Sequence, residues 1–191
     1  MPKITETELT GAFIIEPEVH GDARGWFMET YTQNKMGDLA KINFVQDNQS
    51  YSAQKGVLRG LHCQINPHCQ SKLIRCTRGE IVDVIVDIRK GSPTYLQWTK
   101  VLLTAENKKQ LFIPKGFLHG FVTLTDDVEV QYKVDDYYSK ECDRSVKFDD
   151  PSLGIDWGIS KPVLSAKDQN APLLQDSDCN FVYSTKPKGG N

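Results

Sequence analysis

The segment Glu80–Arg89 fixes the kind of fold this chain can adopt. Val82, Val84, Val86 and Ile88 alternate with Ile81, Asp83, Ile85 and Asp87. An extended backbone then carries one apolar face and one mixed face, whereas a helix would scatter both sets. The same period of two recurs at Val128–Val134, where Val128, Val130, Tyr132 and Val134 share a face opposite Glu129, Gln131 and Lys133. Further strands are predicted over Phe13–Glu16, Gly25–Tyr31, Phe44–Tyr51, Val57–Gln64, Ser71–Arg78, Trp98–Leu103, Gln110–Ile113 and Gly120–Thr125. Turns are read at His20-Gly21-Asp22-Ala23 and Lys90-Gly91-Ser92-Pro93. Many short strands separated by turn signals, at a spacing of roughly 8–12 residues, specify an all-β sandwich or barrel. One short helix is expected over Thr32–Ile42.

Beyond Asp149 the pattern changes. Pro151, Gly154, Gly158 and Pro162 predict an irregular segment with short helices, and Ser165-Ala166-Lys167-Asp168 has the form of a capping box with Asp in the usual Glu position. With no repeat and no linker, residues 1–185 are expected to form one domain, followed by a disordered tail over 186–191.

Charge excludes one broad class of partner. The 23 basic and 25 acidic residues give a net charge of -2, and no Lys/Arg-rich run occurs, so a nucleic-acid surface is not expected. Nothing is apolar for long enough to span a membrane, and the N-terminus lacks the apolar run of a signal peptide. Five cysteines, an odd number without a Cys-x-x-Cys pair, argue against a disulfide framework or structural zinc. The expected compartment is the cytoplasm.

Chemistry-bearing side chains fall on predicted strands. His62 alternates with Gly60 and Gln64, in a segment adjacent along the chain to that of Lys72. A strand histidine is a structural polar residue unless a carboxylate orients its far nitrogen and makes it a base. Asp168 is a candidate carboxylate, although it equally suits a helix cap. Lys72 shares a face with Ile74 and Cys76 and so points toward an apolar interior, where an ammonium needs an anion. Tyr132 on its valine face is either core or a buried phenol able to donate a proton. His119 lies in a Pro/Gly-punctuated turn at the foot of a strand and suits a turn-stabilising role as well as a site. Arg24 and Arg59, each beside a glycine, are surface charges or a grip on a diphosphate. Tyr137 and Tyr138 are packing aromatics or a stacking face for a nucleobase.

His62, His68 and His119 invite a barrel metal site, but such sites commonly present His-x-His on one strand, and here the second position is Gln64. No metal is expected.

The runs Gly21-Asp22-Ala23-Arg24-Gly25-Trp26-Phe27-Met28-Glu29, Val45-Gln46-Asp47-Asn48, Leu58-Arg59-Gly60-Leu61-His62, Ser71-Lys72-Leu73, Asn107-Lys108-Lys109-Gln110-Leu111, Pro114-Lys115-Gly116-Phe117-Leu118-His119-Gly120-Phe121, Gln131-Tyr132-Lys133, Asp136-Tyr137-Tyr138 and Leu164-Ser165-Ala166-Lys167-Asp168 stand in order. Together they resemble the dTDP-4-dehydrorhamnose 3,5-epimerase family over roughly residues 10–175, and so many separated motifs in register leave little to chance. The resemblance implies a cupin-type jelly-roll barrel with a few short peripheral helices, acting without metal or cofactor as a homodimer. It implies epimerisation at C3 and C5 of dTDP-4-dehydro-6-deoxy-D-glucose, giving dTDP-4-dehydro-L-rhamnose. Carried over position by position, His62 is the base, Asp168 orients it, Tyr132 is the acid on the other face, and Lys72 holds the enolate oxygen. Arg24, Glu29, Gln46, Asp47, Asn48, Arg59, His119, Asp143 and Lys167 are implied contacts to the nucleotide-sugar, with Tyr138 stacking near thymine.

Elementary chemistry agrees with that assignment. The protons at C3 and C5 flank the C4 ketone, so a base on one face, a cation at the oxygen and an acid on the other face invert each centre through an enolate. No hydride moves, and no Gly-x-Gly-x-x-Gly fingerprint is present. Departures from the common pattern are Cys63 where an aromatic is usual, Ser71 where glycine is common, His20 in place of an apolar or aromatic residue, and Asp143 in place of glutamate. A single-centre epimerase or ketoisomerase on the same scaffold, and a non-catalytic nucleotide-sugar-binding barrel, are the alternatives.

Overall fold

The computed structural model describes residues 1–184, so the tail expected to be disordered lies outside the described residues. Its strands are β1 (Lys3–Glu6), β2 (Phe13–Glu16), β3 (Val19–Asp22), β4 (Gly25–Met28), β5 (Gln46–Ser52), β6 (Leu58–Gln64), β7 (Lys72–Arg78), β8 (Glu80–Asp87), β9 (Trp98–Thr104), β10 (Gln110–Ile113), β11 (Phe117–Thr123), β12 (Val128–Val134) and β13 (Asp143–Ser145). One antiparallel sheet runs β1-β2-β10-β7-β12-β5 and a second β13-β6-β11-β8-β9, while β3 and β4 pair only with each other as a hairpin. The two large sheets face one another in a cupin-type jelly roll. Each strand therefore sends alternate side chains into the barrel and out of it.

The interior is apolar over much of its length. Ile74, Cys76, Ile81, Ile85, Leu103, Leu111, Phe117, Phe121, Val128 and Val130 form one buried cluster contributed by both sheets. The two-faced pattern of β8 is explained by what covers each side. Ile81 and Ile85 point into the barrel, whereas Val84 and Val86 lie in a second cluster beneath Val146, Leu153, Trp157 and Phe181 of the irregular C-terminal segment. The acids of the mixed face are not at the surface: Asp83 and Asp87 are fully buried. Asp87 is held by Arg89, Ser92 and Thr94.

Local differences from the sequence expectation have physical causes. The helix expected over Thr32–Ile42 is two 3-10 turns, Gln33–Lys35 and Gly37–Lys41, because Gly37 adopts φ +57 and breaks the run. Gly116, at φ +85, completes the turn earlier than expected, so β11 starts at Phe117 and His119 lies inside a strand rather than at its foot. The short edge strands β1 and β13 and the separate strand β3 lack an alternating apolar signature, and the sequence did not reveal them.

Gly60 and Gly120 cross at the centre of the five-stranded sheet. A Cβ on Gly60 would lie 2.5 Å from the Cα of Gly120, and one on Gly120 would lie 2.8 Å from the carbonyl oxygen of Arg59. Gly60 also has φ +133. This contact produces the register shift between β6 and β11, beside which His119 and His62 stand as direct partners.

Candidate active site

Five strands and one helical turn place the chemistry. From the five-stranded sheet, β6 supplies Arg59 and His62 and β11 supplies His119, while from the six-stranded sheet β7 supplies Lys72, β12 supplies Tyr132 and β5 supplies Ser50. Together with Ser165, Lys167 and Asp168 they line a cavity of about 350 Å³. His62 and Lys72 are thus close along the chain but lie on opposite sheets, facing each other across the barrel. The cavity continues into a second hollow of about 380 Å³, lined also by Gln46, Asn48, Gln64, Tyr138 and Asp143.

His62 Nε2 lies 2.5 Å from Asp168 Oδ1. The helical turn α1 (Ala166–Gln169) makes this possible. Ser165 caps it, accepting from the Asp168 amide at 3.1 Å and donating to Asp168 Oδ2 at 2.9 Å. The helix-cap position and the carboxylate beside His62, alternatives in the sequence, coincide in Asp168, whose Oδ2 accepts from the capping Ser165 hydroxyl while Oδ1 faces His62. Burial pushes the Asp168 carboxyl up, but the hydrogen bond and charge of His62, with Ser165 and the Gly60 amide, outweigh it and hold the group below the usual aspartate value.

The other polar groups are tuned mainly by burial. Lys72 is lowered by desolvation, against which Cys63, Asp83 and Asp143 act. Tyr132 is raised by desolvation, opposed by Arg59. His119 is lowered by desolvation despite Asp83, whose Oδ2 lies 3.0 Å from His119 Nε2. Asp83, not singled out from the sequence, is thus a buried counter-charge beside both His119 and Lys72. Its signal was an acid on the inward face of β8.

The remaining sequence-predicted residues divide into two groups. In the first, Arg59 donates to Ser52 Oγ at 3.2 Å and the Tyr51 carbonyl at 2.9 Å, Gln46 donates to Asn48 at 2.8 Å, and Lys167 pairs with Asp143 at 2.5 Å, so these line the cavity mouth. Tyr138, exposed on the rim, donates to Asp143 at 3.5 Å. The second group lies elsewhere. Asp47 is on the outer face of β5, paired with Lys133 at 2.9 Å; Glu29 pairs with Lys35 at 2.6 Å; Arg24 pairs with Asp22 at 2.5 Å on the exposed β3–β4 hairpin. Gln64, where a barrel metal site would place a second histidine, instead ties loops together. Its amide donates to the carbonyls of His68 and Tyr137, and its oxygen accepts from the Ser139 amide.

A jelly-roll barrel whose polar interior combines a His–Asp pair, a lysine and a buried phenol is the architecture of the cupin-type carbohydrate epimerases. The profile of the dTDP-4-dehydrorhamnose 3,5-epimerase family matches residues 6–176. The dTDP-4-dehydrorhamnose 3,5-epimerase of Shigella flexneri is 49% identical over 177 residues, covering 92% of this chain and 97% of that protein. Two crystal structures superpose closely. The dTDP-4-dehydrorhamnose 3,5-epimerase of Bacillus anthracis, with TDP and PPi bound, gives a TM-score of 0.88 at 49% identity, covering 91% of this chain and all (100%) of that one. The dTDP-6-deoxy-D-glucose-3,5-epimerase of Legionella pneumophila, in complex with dTDP-4-keto-L-rhamnose, gives 0.90 at 45% identity, covering 96% and 100%. The chain belongs to the dTDP-4-dehydrorhamnose 3,5-epimerase family.

Proposed function

We propose that this chain epimerises C3 and C5 of dTDP-4-dehydro-6-deoxy-D-glucose to give dTDP-4-dehydro-L-rhamnose, a step of dTDP-L-rhamnose biosynthesis. The observation that carries this reading is the placement of His62 and Tyr132 on opposite sheets around one cavity. A sugar ring seated between them meets a base on one face and a proton donor on the other, as inversion requires. His62, oriented by Asp168, removes the proton next to the ketone. Lys72 faces the C4 oxygen and stabilises the enolate. Tyr132 reprotonates the carbon from the far side; before the second centre reacts, the proton held by His62 returns to solvent and the Tyr132 phenolate takes one up from solvent. Arg59, Lys167 and the Gln46–Asn48 pair hold the sugar and diphosphate, with Tyr138 against the base.

A homodimer supports the placement of Arg24. The β3–β4 hairpin is exposed except at half-buried Met28 and carries Trp26 and Phe27 at 59% and 67% exposure, with only Lys108 over the Trp26 ring among the described residues, which leaves an apolar patch on the arm. Packing this arm on a second copy covers the aromatics and brings Arg24 and Glu29 toward the partner's cavity. The free thiols of all five cysteines accord with a reducing, cytoplasmic setting.

The test is NMR of the dTDP-4-keto sugar incubated with the protein in deuterium oxide. Deuterium at both C3 and C5, with a rhamnose-configured product after reduction, is expected. Label at one carbon only replaces this reading with a single-centre epimerase, and no label with a binding role.

A further inference from the structure

The side chains of Cys63 and Cys179 meet behind β6, on the side of the C-terminal segment. Cys63 follows His62 on β6 and, by alternation, points away from the barrel interior into the cluster beneath the C-terminal segment. There its sulfur lies 3.6 Å from that of Cys179, a residue 116 positions away. Cys63 is buried, whereas Cys179 is partly exposed. The segment that carries Cys179 is anchored on both sides: Arg144 grips Asp178 at 2.6 Å, and Lys90 donates to the Phe181 carbonyl at 2.9 Å. The two thiols are therefore held together by packing that neither of them provides, and the epimerase chemistry uses neither.

We propose that Cys63 and Cys179 form a thiol–disulfide exchange site for low-molecular-weight disulfides, whose oxidised form staples the C-terminal segment to the strand that carries His62. The exposed partner reacts first. The hydrogen bond from Cys63 brings the Cys179 thiol down to about 7 against its burial, while the same contact and burial push Cys63 up. A thiol near ambient pH is the best attacking group. The Cys179 thiolate attacks one sulfur of the small disulfide, that S–S bond breaks, and one small thiolate leaves. The leaving thiolate accepts the Cys63 proton, and Cys63 attacks the Cys179 sulfur and expels the second small thiolate, which is protonated by solvent. Two protein thiols are oxidised to one disulfide, and one small disulfide is reduced to two thiols. Joining the sulfurs requires closing the gap from 3.6 Å to the bonded distance of about 2.05 Å, a side-chain adjustment.

The full chain, reduced and then equilibrated with oxidised glutathione, tests this by non-reducing peptide mapping and thermal melting. A Cys63–Cys179 cross-linked peptide is expected, with a Tm rise of roughly 5–15 °C that dithiothreitol reverses, since closing so long a loop restricts the unfolded chain. C179S and C179A are both expected to lose the cross-link and the Tm response, and two replacements guard against a folding defect in one. Alkylation of Cys63 and Cys179 as free thiols after oxidation, or cross-links confined to Cys69, Cys76 or Cys142, would overturn the proposal.

Discussion

His62 and His119 stand directly opposite one another across the β6–β11 ladder, yet each belongs to a different carboxylate. Asp168 approaches His62 from the C-terminal segment, and Asp83 holds His119 from β8 inside the sheet. One imidazole is thus placed at the cavity with an orienting acid behind it. The other is buried, with its proton affinity reduced.

Asp168→Asn keeps the shape of the pair but removes the charge that selects the tautomer of His62. Turnover should fall by up to about 10⁴-fold, by analogy with the orienting carboxylate of a Ser-His-Asp triad, while the fold survives. Steady-state kinetics with circular dichroism checks this; a loss below tenfold would remove Asp168 from its orienting role. His62→Ala should abolish turnover outright.

Tyr132→Phe separates two events that the wild type couples. Solvent deuterium should still enter the substrate, because His62 is intact, but inversion should slow by about 10²-fold or more. Equal loss of exchange and inversion would show that Tyr132 is not the acid.

Lys72 makes a pH prediction. Burial lowers its proton affinity, so its ammonium is lost at a lower pH than that of a solvated lysine. The rate should therefore decline on the alkaline side at a lower pH than a solvated lysine would set. Lys72→Met should reduce kcat roughly 10²–10³-fold at both centres and remove that alkaline limb. A pH profile unchanged by the substitution would separate Lys72 from the enolate.

His119 governs stability in mild acid. Its folded pKa lies below the ordinary 6.5 because burial disfavours the cation, so the unfolded chain binds the extra proton first. Stability should be complete above 6.5 and fall as pH drops toward the folded value. Asp168, lowered in the folded state, adds a second loss below 3.8. His119→Gln should flatten the first decline in urea titrations, and an unaltered slope would contradict this.

Gly60→Ala should cost roughly 3 kcal/mol or more, because the new methyl meets backbone rather than a movable side chain, at a φ that alanine avoids. A near-native Tm for this variant would be incompatible with the crossing of β6 and β11.

Much of this arrangement was legible in the sequence because strands announce themselves by alternation. The inward aim of Lys72 and Tyr132 followed from the company they keep on their faces, and the strand limits of β10 and β12 were read correctly. The pairing of Asp168 with His62 spans 106 residues, so local pattern left it undecided and only the family resemblance joined the two. Asp83 escaped notice because an acid on a strand reads as solvent-facing until the second sheet is known. Arg24 on the hairpin and Glu29 just after it carry a strong motif, but their ion-pair partners among the described residues, Asp22 and Lys35, are local. The contact of Cys63 with Cys179 leaves no trace in spacing, since it depends on how the irregular C-terminal segment returns over the sheet.

That return also sets a calendar for the molecule during synthesis. Asp168 is encoded after β13, the last strand among the described residues, so a nascent chain that has emitted these strands still lacks the carboxylate behind His62. His62 gains its carboxylate partner only when the turn α1 docks against β6. The same turn brings Ser165 and Lys167 to the cavity, so its docking completes the pocket and the His62–Asp168 pair together.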